Sequence, residues 1–148
     1  MKRIKIISVT ALLSLCLTST LTAQVGKPFI HDPSTIMECE GKYYTFGTGG
    51  GGLISEDGWV WNSGAVRPGG GAAPDAIKIG DRYLIIYGAT GGGLGGGHNG
   101  RILTMWNKTL DPNSPDFKYS EAIQVASSDG IEDNDAIDPG LLLDPTDG

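Results

Sequence analysis

His31-Asp32-Pro33-Ser34, Ala73-Pro74-Asp75-Ala76 and Ile137-Asp138-Pro139-Gly140 are the stretches on which the reading of this chain turns. Each sets an aspartate beside a proline at the mouth of a predicted β-hairpin. An apolar stretch and a glycine turn follow each one. After the first two, an aromatic-rich strand leads back. About 43 residues separate Asp32 from Asp75, and about 63 separate Asp75 from Asp138. Recurrence at such spacing points to a radial repeat, which gathers equivalent positions around one axis. A β-sandwich also has many short strands. The return of aspartate at the same place in each unit favours a β-propeller.

Working outward, the pattern predicts an all-β fold. Glycine and proline punctuate the sequence too often for helices, and no apolar stripe persists at the helical period. In the first unit, Ser34 to Glu38 and Lys42 to Gly47 flank the turn Cys39-Glu40-Gly41. Leu53 to Ser55 and Val60 to Asn62 add two shorter strands around Glu56-Asp57-Gly58. In the second unit, Ala76 to Ile79 and Arg82 to Tyr87 flank Gly80-Asp81, and Arg101 to Trp106 and Lys118 to Ile123 follow. The link Asn107 to Asp116 has turn chemistry in Asp111-Pro112-Asn113-Ser114-Pro115. Two units of about four strands therefore precede the third aspartate. Leu141-Leu142-Leu143 reads as the first strand of a third unit, and Asp144-Pro145-Thr146-Asp147-Gly148 as its turn. The expectation is the first two blades and the start of a third, within a longer protein.

The N-terminus reads differently. Lys2, Arg3 and Lys5 precede the apolar run Ile6 to Leu17, and Leu21-Thr22-Ala23 offers small residues for cleavage before Gln24. This is the pattern of a secretory signal peptide over residues 1–23. The run is short for a membrane span, which needs about 20 apolar residues. Leu15 before Cys16 is too large for the usual lipid-attachment box. Residues 24–148 then form the folded segment.

Taking away Lys2, Arg3 and Lys5 from 11 basic residues leaves eight against 17 acidic ones, a net charge of −9. That balance argues against nucleic acid and anionic membranes, which both attract basic patches. It suits a neutral partner such as an oligosaccharide or polysaccharide. Cys39 is the one cysteine left after residue 23. It reads as a small buried thiol, since no base or electropositive setting lies nearby in sequence. Gly95, Gly97 and Gly100 match G-x-G-x-x-G, but a dinucleotide site needs a helix next, and Arg101 to Trp106 reads as a strand. The other glycine runs, Gly49 to Gly52, Gly69 to Gly71 and Gly91 to Gly97, read as loops on the rim of the site. His31 and His98 have no partners at transition-metal spacing, so no metal site is predicted from them.

The motifs together resemble glycoside hydrolase family 43, in particular its arabinanase-like members. The resemblance covers most of residues 28–148. It rests on His31-Asp32-Pro33-Ser34 with Gly41-Lys42-Tyr43-Tyr44, Ala73-Pro74-Asp75 with Tyr83, Thr109-Leu110-Asp111-Pro112 with Ser114-Pro115-Asp116, and Ala136-Ile137-Asp138-Pro139. It implies a five-bladed β-propeller and an inverting hydrolase of arabinose- or xylose-containing polysaccharide. It further implies that Asp32 is the general base and that Asp138 raises the pKa of the acid and orients it. The family's acid is a glutamate of the fourth blade, to which no residue here corresponds. His31, Asp75 and Asp135 are the expected substrate contacts, Asp75 either lining the centre or tying loops together. No cofactor is required, and a structural calcium near the axis is carried over as an option. Two positions depart from the family pattern. Ala72 stands where a tryptophan is frequent, and Asp135, beside Asn134, stands where an asparagine is common.

Glycosidic cleavage explains the demand for such residues. One carboxylic acid protonates the leaving oxygen, while a carboxylate activates water on the opposite face. The two lie about 6.5–9.5 Å apart when the outcome is inversion. A third carboxylate beside the acid keeps it protonated by like-charge repulsion. A propeller that binds glycans without cutting them fits the same motifs, as does a purely structural module. A fourth-blade glutamate is what separates the enzyme from the binder.

Overall fold

The computed structural model describes residues 25–26, 28–90, 99–128 and 135–146. The expected signal peptide, His98, Asn134 and Gly91 to Gly97 lie outside these residues. The described residues contain nine β-strands and no helix.

The first sheet holds β2 (Met37–Cys39), β3 (Lys42–Phe46), β4 (Gly51–Ser55) and β5 (Val60–Val66) as an antiparallel meander. The short β1 (Val25–Gly26) adds to the β5 edge in parallel. The second sheet is the meander β6 (Ala72–Ile79), β7 (Arg82–Thr90), β8 (Arg101–Asn107) and β9 (Ile123–Ser127). Two consecutive four-stranded antiparallel units are thus present, as the repeat predicts. Glu40 and Gly41 turn the first hairpin in left-handed conformation, with φ of 53° and 79°. That is the backbone such a two-residue turn requires, and glycine supplies it without steric cost.

The sheets meet where β2 and β3 face β6. Cys39, Tyr44, Phe46 and Ala65 from the first sheet pack with Ala76, Tyr83, Ile85, Tyr87 and Met105 from the second, and with Leu110. Alternation along β3 and β7 sends their aromatic rings to this seam, as a period of two requires. The Cys39 thiol is buried there, accepting from Leu110 N–H at 3.3 Å. The Tyr83 hydroxyl crosses the seam to the Glu38 carbonyl at 2.8 Å.

Two strand expectations need correction. The last strand of the second unit is Ile123–Ser127, not Lys118 to Ile123. Tyr119 turns aside to donate its hydroxyl to the Val66 carbonyl at 2.9 Å. Beside it, the Ser120 hydroxyl accepts from Trp106 N–H at 3.0 Å, so a side chain stands in for the ladder. Leu141-Leu142-Leu143 forms no strand: no described segment pairs with it, and Leu142 is exposed. The first glycine loop, Gly49 to Gly52, is also shorter than expected. Gly51 and Gly52 belong to β4, where a side chain on Gly52 would run into the Thr45 carbonyl.

Candidate functional site

The segment carrying Asp32 is stitched to the far end of β3. Ser34 is buried. Its N–H donates to the Phe46 carbonyl at 2.8 Å, its hydroxyl accepts from Phe46 N–H at 3.0 Å, and its carbonyl accepts from the Thr45 hydroxyl at 3.0 Å. Pro33 fixes the next φ. Asp32 itself has φ of +48°, a conformation that few residues other than glycine adopt and that asparagine and aspartate tolerate better than most.

The same backbone returns twice. Ala73 before Pro74 has φ of +40°, and Asp138 before Pro139 has φ of +50°. The repeating element is therefore a left-handed residue followed by proline, at positions 32, 73 and 138. Asp75 is not the counterpart of Asp32 and Asp138, as the sequence alignment of aspartates expects. Ala73 is, and it carries no carboxylate.

Asp32, Asp75 and Asp138 nevertheless line one open cleft of ≈ 320 Å³, with Pro33, Thr35, Ala73, Pro74 and Pro139. The fold brings the three together from separate turns. Asp32 Oδ2 accepts from His31 Nδ1 at 2.8 Å and from the Thr48 hydroxyl at 3.0 Å. Its other oxygen has no partner among the described residues. The Asp138 carboxylate likewise has none. Both side chains reach solvent.

Asp75 is differently employed. Its Oδ1 accepts from Thr35 N–H at 3.0 Å and Ala76 N–H at 2.9 Å, and its Oδ2 accepts from Leu141 N–H at 2.9 Å. It ties three loops together. Partial burial opposes its ionisation, but the bonds from Leu141, Thr35 and Ala76 outweigh this and hold the carboxyl below the ordinary aspartate range. Asp135 is not part of the cleft lining. It lies over Gly100, where an added β-carbon would come within 2.7 Å of its Oδ1 and 2.5 Å of the Ala136 carbonyl oxygen.

Thr48 was not foreseen from the sequence. It sits in the β3–β4 turn, its N–H donating to the His31 carbonyl at 2.9 Å. Its hydroxyl donates to Asp32 and accepts from Ala73 N–H at 2.9 Å. One residue so joins the first two turns. Its only sequence signal is its place just after Gly47, where β3 ends at the Asp32 segment.

Among the described residues no group of three His, Cys, Asp or Glu side chains is gathered at ligand distance, and Asp75 is occupied by amides.

No family model matches the chain. It is similar to a probable arabinan endo-1,5-alpha-L-arabinosidase A of Aspergillus flavus, 28% identical over 129 residues, covering 78% of this chain and 38% of that protein. It superposes on an exo-1,5-alpha-L-arabinanase from a bovine ruminal metagenomic library with a TM-score of 0.69 and 32% identity. That match covers 80% of this chain and 43% of the other. A family 43 endo-arabinanase from Bacillus licheniformis shares the fold with a TM-score of 0.57 and 22% identity, over 70% of this chain and 40% of its own. The chain spans about two fifths of the length of these relatives. Over the matched residues it has the arabinanase-like fold of glycoside hydrolase family 43.

Proposed function

We propose that this chain, with its arabinanase-like fold, is the N-terminal part of a secreted five-bladed glycoside hydrolase. It cleaves arabinan, or a related arabinose- or xylose-containing plant polysaccharide, with inversion. One observation carries the reading: Asp32 and Asp138, over a hundred residues apart, line the same open cleft.

In the proposed reaction Asp32 is the general base. His31 and Thr48 both donate to its Oδ2, which fixes the carboxylate plane and leaves Oδ1 free to take a proton from water. Asp138, whose carboxylate has no partner among the described residues, faces the acid and raises its pKa. The acid is a glutamate of a later blade, so residues 24–148 alone hydrolyse little or nothing. His31, whose ring is 71% exposed, contacts the sugar, and Asp135, outside the cleft lining, reaches it only where the glycan extends past the cleft. Asp75 lines the cleft floor, with most of its hydrogen-bonding capacity taken by amides. The partner is a neutral glycan rather than nucleic acid or membrane, in keeping with the acidic charge balance.

Asp32→Asn in the full-length protein tests the assignment. The expected loss in kcat/KM on arabinan is about 10²–10⁴-fold, the usual range for a general base. Undiminished activity of that variant would overturn the role of Asp32. Failure of the wild-type protein to release reducing sugar from arabinan, xylan or an aryl arabinoside would overturn the enzyme reading.

A further inference from the structure

Three backbone amides converge on one carboxylate, and their positions in sequence are equivalent. Thr35, Ala76 and Leu141 each stand three residues after the left-handed residue of their turn, Asp32, Ala73 and Asp138. All three N–H groups donate to Asp75, at 3.0, 2.9 and 2.9 Å. Among the described residues no other side chain bonds all three turns. Thr48 joins the first two.

Each bonded amide lies a short, stiff distance from the residue that begins its turn. Proline fixes φ directly after the left-handed residue. In the first turn Ser34 adds three bonds to β3. The position of the Thr35 amide therefore fixes Asp32, and the position of the Leu141 amide fixes Asp138. We propose that Asp75 is a positioning residue that sets the separation of Asp32 and Asp138.

The kinetic part of this inference rests on the glycosidase reading above. The geometric part does not. Three charge-assisted bonds to one carboxylate need it ionised. Its carboxyl is held below the ordinary aspartate range, so the hub is closed above that range. It opens only as pH falls through the depressed value. The charged side chains on the same cleft are Asp32 and Asp138, both acidic, and neither substitutes for it. Asparagine in its place keeps one acceptor oxygen but turns an NH2 group toward amides that are themselves donors.

The test uses ¹⁵N-labelled full-length protein. In the wild type, the amide resonances of Thr35, Ala76 and Leu141 should move together on acidification, with one midpoint. In Asp75→Asn all three resonances should shift, and the amides left facing the NH2 group should exchange faster, while core amides such as Ile85 stay protected. In the same variant kcat on arabinan should fall by about 100-fold, the scale expected for a displacement of roughly 1 Å at a catalytic group, with KM within threefold. A Leu141 amide indifferent to the titration would overturn the hub even if the variant failed to fold. So would a variant that lowers Tm but leaves kcat untouched. A wild-type protein inert on arabinan sinks the glycosidase reading instead, and the common midpoint of the three amides then decides the hub alone.

Discussion

The turns at Asp32 and Ala73 share a backbone and differ in chemistry. Both residues are left-handed, both precede proline, and both lead to an amide bonded by Asp75. Thr48 touches both, donating to the Asp32 carboxylate and accepting from the Ala73 N–H. Yet one turn presents a carboxylate and the other a methyl group. The geometry is therefore a property of the repeat, fixed by proline and by amide bonds. Chemistry is added by a single side chain at a position the fold supplies in every unit.

The surroundings of the two turns differ as well, and glycine exposes this. Gly47 follows β3 and Gly88 lies in β7, at matching places in the two units. A β-carbon on Gly47 would lie 2.7 Å from Ile30 Cγ1 and 2.9 Å from the His31 carbonyl oxygen. On Gly88 its nearest neighbour would be the Ala72 carbonyl oxygen at 3.6 Å, an ordinary contact. Gly47→Ala should therefore cost about 2–3 kcal/mol in urea unfolding, since backbone must move to relieve the overlap. Gly88→Ala should change stability by no more than about 0.5 kcal/mol. Equal effects at the two sites would mean that the Asp32 segment is not packed more tightly than its counterpart.

Removing the link between the turns gives a smaller effect. Thr48→Val keeps the shape and deletes the hydroxyl, which leaves the Ala73 N–H without its acceptor and Asp32 with His31 alone. A loss of about 1–2 kcal/mol is expected for the two solvent-exposed bonds together. Hydrogen exchange at the Ala73 amide should accelerate, and Thr48→Ser should restore it. Unchanged exchange in the valine variant would show that the two turns are held independently.

Much of this architecture was legible in the sequence because local chemistry writes it. The turns at Cys39-Glu40-Gly41 and Gly80-Asp81, and the strands on either side, follow from short-range rules. Asp32 and Asp138 stood out because aspartate beside proline recurs. The same letter misled at Asp75. Its neighbour Pro74 marks the repeat, and the residue before that proline is alanine, so matching carboxylates shifted the register by two. The strand at Ile123–Ser127 was misplaced because its start is set from a distance, by Tyr119 reaching Val66 and Ser120 replacing a ladder bond on Trp106. Thr48 was invisible for a related reason. Its role exists only once residues 31, 32 and 73 have come together, and no local pattern encodes that.

The smallest expected effect is also the sharpest comparison, because one substitution should have opposite signs at equivalent positions. A left-handed residue with a β-carbon carries a penalty of about 1–2 kcal/mol. Glycine removes it, at the cost of roughly 0.5–1 kcal/mol in unfolded-chain entropy. At Ala73 the methyl group makes no hydrogen bond, so Ala73→Gly should stabilise by up to about 1 kcal/mol. At Asp32 the relief is smaller, since aspartate tolerates this backbone, and the side chain gives up its bonds to His31 and Thr48. Each contributes about 0.5–1.5 kcal/mol, so Asp32→Gly should leave the protein less stable. Paired urea melts read the difference directly. If both variants gained stability alike, the carboxylate of Asp32 would add nothing to its own turn, and the contrast between the two turns would be one of chemistry alone.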